Sequence, residues 1–235
     1  MPDNSIARRK LSRMAISIAD RHRIELEAGK KSHEQLTRDD FLWHYLLQSF
    51  ATMGKSSGAK GLIKDPSNYS KVDYATLRRL PVRTRTSHVE RILTAAGVRW
   101  PTRKAVFISA CLDRIEAMGG LVAAKEKLLS QPGREGKIAF LDAFPGIGPK
   151  YARNIMMDVY HEDFRDSIAL DSRIKQISKI LNLNFATYQD EERFFLSAAH
   201  EASLEGWELD RLIYNHLDEF MDLLSTKATT QAAGG

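Results

Sequence analysis

The chain has 235 residues, 43% of them hydrophobic, so a folded core is supported and wholesale disorder is excluded. Its length suits one large domain or two small lobes sharing a cleft. The formal net charge is +5, no apolar run approaches the roughly 18 residues of a membrane span, and MPDNSIARRKLSRM lacks a signal-like apolar stretch, so a soluble cytoplasmic protein is expected.

Helical periodicity dominates. Residues 5–29 set Ile6, Leu11, Met14, Ile18, Ile24 and Leu26 among charges, with Gly29 as a stop. Asp39-Asp40 opens FLWHYLLQSFA, an apolar helix ending near Gly54. Further helices fit 73–80, 86–96, 103–118, 120–130, 134–143, 150–160, 172–181, 189–204 and 207–224. Strand alternation is nearly absent, so the expected fold class is all-α, built from many short helices and polar connections. Met1–Asn4 and STKATTQAAGG read as frayed ends. The one cysteine, Cys111, excludes an intramolecular disulfide, an iron–sulfur cluster and a cysteine-rich zinc site. Within AVFISACL it reads as a buried structural thiol.

Charge is unevenly spread. Residues 55–104 carry twelve bases (Lys55, Lys60, Lys64, Lys71, Arg78, Arg79, Arg83, Arg85, Arg91, Arg99, Arg103, Lys104) against Asp65, Asp73 and Glu90, whereas 157–225 carry fifteen acids against six bases. Such polarity suits a protein that lays one side on phosphates, and it also suits solvated helix faces that happen to differ in sign. MGKSSG (53–58) is no P-loop, because Ser49 stands where the pattern needs glycine and no strand precedes it. HEASL (200–204) has Leu204 in place of the second histidine of a zinc-protease helix, and the seven histidines show no ligand spacing. No metal or cofactor is expected.

FPGIGPK (144–150) lies between two helical runs, EGKIAFLDAF with core positions Ile138, Phe140 and Leu141, and KYARNIMMDVY with Tyr151, Ile155 and Val159. The order Pro-Gly-Ile-Gly-Pro predicts a tight helical hairpin. Gly146 and Gly148 permit the turn and close approach of a partner, Ile147 plugs the gap between helices, and Pro149 fits the first helical turn. Exposed amides and the helix dipole make that start an anion seat. An ordinary structural hairpin would use the same residues.

FPGIGPKYA is similar to the helix-hairpin-helix turn of the HhH-GPD superfamily of DNA base-excision-repair glycosylases, and ALDSRIKQI supplies, at Asp171, the aspartate that opens a later helix in that family. LLQSFATMGKSSGAKGL (46–62), RKAVFISACL (103–112) and LDRLIYNHL (209–217) extend the resemblance over about 36–225. It implies two interleaved helical lobes flanking a DNA cleft over 36–225, an N-terminal helical extension over 1–35 and a flexible tail over 226–235. The missing C-terminal cysteines imply a branch without an iron–sulfur cluster. The loop DVYHEDFRDSIALD departs from the family, having no glycine or proline near its centre and carrying Asp158, Glu162, Asp163 and Asp166.

The resemblance implies Lys150 and Asp171 as catalytic residues of a DNA-repair enzyme. Burial and a helix N-terminus both lower a lysine pKa, so the Lys150 amine is expected to attack the sugar C1′, form a Schiff base and nick the strand by β-elimination. Asp171 is expected to stabilise oxocarbenium character, and it is equally well placed as the N-cap of SRIKQISKIL. Gly146, Ile147, Gly148, Arg83, Arg85, Arg103 and Lys104 are the expected phosphate contacts and Phe50 the wedge beside a flipped nucleotide. Asn154, Tyr151, Trp43 and Trp207 are expected at the base pocket, with Trp100 and Tyr214 as further stacking candidates. The expected partner is duplex DNA bearing a modified base, bound by a monomer. A monofunctional glycosylase using water and a non-catalytic DNA-binding module stay open, as does the choice among oxidised, alkylated and hypermodified bases.

Overall fold

The structure, a computed structural model, describes residues 4–232, with side chains described to residue 224. All regular elements among these residues are helical. In chain order they are α1 (Ser5–Lys30), α2 (Phe41–Thr52), α3 (Gly58–Leu62), α4 (Pro66–Val72), α5 (Tyr74–Arg79), α6 (Val82–Ala95) and α7 (Pro101–Ala117). There follow α8 (Leu121–Leu129), α9 (Gly133–Asp142), α10 (Pro149–Met157), α11 (Ser172–Ile180), α12 (Tyr188–Glu201), α13 (Gly206–Asn215) and α14 (Leu217–Ala232). Short 3-10 segments cover Lys31–Thr37 and Glu162–Phe164. No helix among the described residues is long and apolar enough to cross a membrane.

The chain forms two compact units. One joins residues 1–33 to 156–235, and the other is Glu34–Ile155. In the first, α1 packs on α12, α13 and α14. Its buried stripe is Leu11, Met14, Ala15, Ile18, Ala19 and Leu26, while Ile6 and Ile24 face solvent. The segment expected as an extension therefore supplies core to the C-terminal helices. Gly29 is no stop, since α1 runs on to Lys30. A Cβ at Gly29 would stand 2.8 Å from Trp207 Cη2, so the glycine gives the indole its space.

In the second unit α2 is mostly apolar, with Phe41, Leu42, Trp43, Leu46, Leu47 and Phe50 buried and a partly exposed polar stripe of His44, Gln48 and Thr52, and it packs on α3, α7 and α8. The amphipathic α6 lies along α7. Cys111 is buried as expected, and burial pushes its thiol up to about 12.

Three boundaries differ from expectation. Helices α3 and α4 are too short for a 3.6-residue period to register; α4 is started by Asp65, which accepts from the Ser67 and Asn68 amides, with Pro66 in the first turn. The run 207–224 breaks at His216 (φ −126°, ψ 34°). The run 150–160 stops at Met157 because Tyr160 turns left-handed (φ 45°) and returns its amide to the Met157 carbonyl. Of the expected tail, 226–232 has a helical backbone in α14 and 233–235 lie outside the described residues, as do residues 1–3 of the N-terminal end.

The predicted hairpin is present. Ile147 is buried between α9 and α10, and its amide reaches the Phe144 carbonyl. Gly146 has φ +81°, and a Cβ there would meet Phe107 Cδ2 at 2.4 Å, whereas a Cβ at Gly148 meets nothing within 4 Å. Only Gly146 is required by the fold. Gly146→Ala is expected to lower unfolding free energy by roughly 1–3 kcal/mol in urea titrations, and Gly148→Ala to leave it within about 0.5 kcal/mol.

Candidate active site and nucleic-acid interface

Lys150 is the second residue of α10, directly after the hairpin turn in unit Glu34–Ile155. It is half-buried, and its Nζ lies 4.1 Å from the centre of the Tyr151 ring. Asn154, one turn on, is half-buried on the same helix. Phe107 joins the hairpin to α7: its ring packs where a Cβ of Gly146 would stand, and the exposed Arg103 guanidinium lies 5.3 Å above that ring. An exposed cation thus stands beside the turn.

Asp171 belongs to the other unit and is the N-cap of α11. Its Oδ1 accepts from the Arg173 and Ile174 amides at 2.8 and 3.1 Å, and its Oδ2 accepts from Arg173 Nη1 at 3.1 Å. The Arg173 guanidinium stacks 4.1 Å from the centre of the Tyr214 ring. In the stretch leading to Asp171, which lacks glycine and proline, three successive amides are taken by side chains. Asp210 accepts from the Ala169 amide at 2.8 Å, Glu192 from the Ile168 amide at 3.3 Å, and the Tyr188 hydroxyl from the Leu170 amide at 3.1 Å. Asp210 and Glu192 are both buried. Sequence reasoning missed all three; acids at helix positions read there as solvated, and nothing local marks their targets 24 and 41 residues upstream.

Several expected contacts are core residues instead. Phe50 is fully buried with its ring centre 6.2 Å from that of Phe107, so it offers no edge to DNA. Trp43 is buried and donates from Nε1 to the Val72 carbonyl. Trp207 is buried on Gly29 and donates to the Met157 carbonyl at 2.7 Å. Arg85 is buried and paired with Asp113 at 2.5 Å. Each of these side chains already has its partner inside its own unit. Arg83 is exposed, consistent with a surface contact.

Tyr214 is exposed, at 40%, and so, unlike Trp43 and Trp207, is Trp100, at 49%. Its backbone is left-handed (φ 56°, ψ 53°), and Pro101 after it disfavours the right-handed alternative. Gly54 (φ +81°) leaves room beneath the indole, since a Cβ there would meet Trp100 Cζ3 at 2.4 Å. Arg99 stacks 4.3 Å from the indole centre. Lys104 is buried nearby and donates to the Met53 carbonyl at 2.7 Å, which ties α7 to the loop after α2. Burial, followed by the charge of Arg99, lowers its amine to about 8.

No family model matches this chain, and no curated protein matches it. Among solved structures it is similar to the 8-oxoguanine DNA glycosylase of Methanocaldococcus jannaschii, at 15% identity over 87% of this chain and 92% of that one, with a TM-score of 0.67. It is similar also to the 8-oxoguanine DNA glycosylase of Thermotoga maritima, at 14% identity, 88% and 95% coverage and a TM-score of 0.67. A third is the M. jannaschii 8-oxoguanine glycosylase/lyase in complex with a 15-mer DNA containing 8-oxoguanine, at 15% identity, 86% and 95% coverage and a TM-score of 0.66. The chain has the fold of these all-α glycosylases. The basic stretch 55–104 falls wholly within unit Glu34–Ile155 and the acidic stretch 157–225 wholly within the other, so charge polarity follows the architecture of this glycosylase fold.

Lys104 gives a pH signature of the unit that carries the hairpin. Between about pH 8 and the ordinary lysine value of 10.5, the unfolded chain holds a proton that the folded Lys104 has released, so this group makes stability rise with pH across that window. Lys104→Met is expected to flatten the rise of denaturation free energy between pH 8 and 10 relative to the parent.

Proposed function

We propose that this chain is a DNA glycosylase that flips a modified base from duplex DNA and cleaves its N-glycosidic bond, with 8-oxoguanine the first substrate to test. The observation that carries the reading is Lys150 at the start of a helix whose preceding turn is pinned by Gly146 on Phe107. The glycosylase fold and the rigidly capped Asp171 support it.

In this reading the neutral Lys150 amine attacks C1′ as the glycosidic bond breaks, its electron pair leaving with the base. Opening of the sugar ring gives a Schiff base, and loss of a C2′ proton then breaks the C3′–O bond. Asp171 stabilises positive charge at C1′. The hairpin amides and Arg103 hold backbone phosphates, Trp100 stacks on a base, and Arg99 adds charge beside it.

A second reading keeps base release and gives the nucleophile role to water. The contact of the Lys150 amine with the Tyr151 ring favours it, because a cation–π contact stabilises the ammonium over the neutral amine. Borohydride trapping separates the two. Parent protein on 8-oxoguanine duplex is expected to trap and Lys150→Gln to lose trapping completely; base release without trapping by the parent establishes the water mechanism. Asp171→Asn should keep the cap, since asparagine caps as well as aspartate, yet slow single-turnover base release by about 10²- to 10⁴-fold. Trp100→Ala is expected to weaken duplex binding about 5- to 150-fold in titrations at fixed salt, the loss of roughly 1–3 kcal/mol of stacking.

A further inference from the structure

A cluster of chemistry-bearing side chains lies where α1 meets the junction of α13 and α14, apart from the residues proposed for catalysis. The His22 and His216 imidazoles stack with centres 3.5 Å apart and planes at 15°. A carboxylate closes each edge of the stack. On one edge Glu219 Oε1 lies 2.6 Å from His22 Nε2 and 3.6 Å from His216 Nδ1. On the other, Glu25 Oε2 lies 2.9 Å from His216 Nε2 and 3.9 Å from His22 Nδ1. Both histidines sit where helix geometry lapses: His22 has φ −112° and ψ 19° inside α1, and His216 ends α13.

Each carboxylate is held from outside by its other oxygen. Arg21 donates to Glu219 Oε2 at 2.6 Å, and Asn215 Nδ2 donates to Glu25 Oε1 at 2.6 Å. Oε1 of Glu219 and Oε2 of Glu25 are thereby presented to the rings. A neutral imidazole has one N–H, so if each ring donates from Nε2, His216 Nδ1 is left as an acceptor facing the Glu219 acceptor. Either a second proton or a divalent ion on that edge would resolve the mismatch.

We propose that His22 Nε2, His216 Nδ1 and Glu219 Oε1 bind a zinc-class transition-metal ion that clips α1 to the α13–α14 junction. The three donor atoms lie within 4.8 Å of one another, and opening the stack so that the two ring planes converge on the ion brings them to bonds of about 2.0–2.2 Å. On binding, the His22 proton moves from Nε2 to Nδ1 and faces Glu25, which already accepts from His216 Nε2. Glu25 then orients both ligand rings from the far edge, the usual outer partner of a metal-bound imidazole. Two nitrogens and one carboxylate select zinc, cobalt or nickel over magnesium and calcium.

The test uses tag-free full-length protein dialysed against zinc and then against metal-free buffer. One retained zinc per chain is expected, and the cobalt(II) form should show the intense visible absorption of a low-coordinate site; magnesium should not compete. His216→Asn and Glu219→Gln should lose both signals while their metal-free far-UV spectra match the parent. Zinc at 100-fold above its Kd should raise the parent's folded-to-unfolded ratio about 100-fold and leave the variants unchanged. A parent that retains no zinc, or folded variants that retain it as the parent does, overturns the site. The parent's zinc and cobalt measurements decide the matter even if a variant fails to fold.

Discussion

Burying a non-helical backbone is the constraint on which the candidate site depends. Ser167–Leu170 is buried and lies in no regular element between a 3-10 turn and α11, so its amides have no ladder or helix to enter. The buried carboxylates of Asp210 and Glu192 and the Tyr188 hydroxyl take them instead. An unsatisfied buried amide costs about 1–3 kcal/mol, so these partners hold the approach to Asp171 in one conformation. Asp171 is then fixed twice more, by two helix amides and by Arg173. A carboxylate held this way is rigid, which is what the role proposed for Asp171 in stabilising a transition state would require.

The hairpin is held in another way. Its turn is made rigid by packing. Ile147 fills the gap, and Phe107 occupies the space that any side chain at Gly146 would need. The Arg103 guanidinium lies over the ring of the same phenylalanine, which places a positive charge next to the turn. Basic residues concentrated in this unit and acidic ones in the other give the chain a polarity suited to phosphate on one unit.

The all-α class, most helix positions and the hairpin were legible because 3.6-residue periodicity and Gly/Pro punctuation are local signals. The N-cap of α11 by Asp171 was legible for the same reason. Burial of single side chains was not. Phe50 and Trp207 look alike as exposed or core aromatics until partners distant in sequence are known. Arg85 and Lys104 read as surface bases, yet Asp113 and the Met53 carbonyl draw them inward. Gly29 read as a helix stop because a close approach by Trp207, 178 positions later, leaves no trace in the neighbouring residues. Short helices α3 and α4 escaped because five or seven residues hold too little of a period.

The central claim is that the Lys150 amine is the nucleophile. Its most direct test is peptide mass spectrometry of the borohydride-reduced complex of the parent protein with 8-oxoguanine duplex DNA. The account predicts a single sugar adduct on the peptide bearing Lys150. An adduct on any other amine, Lys104 included, or base release with no adduct at all, would contradict it.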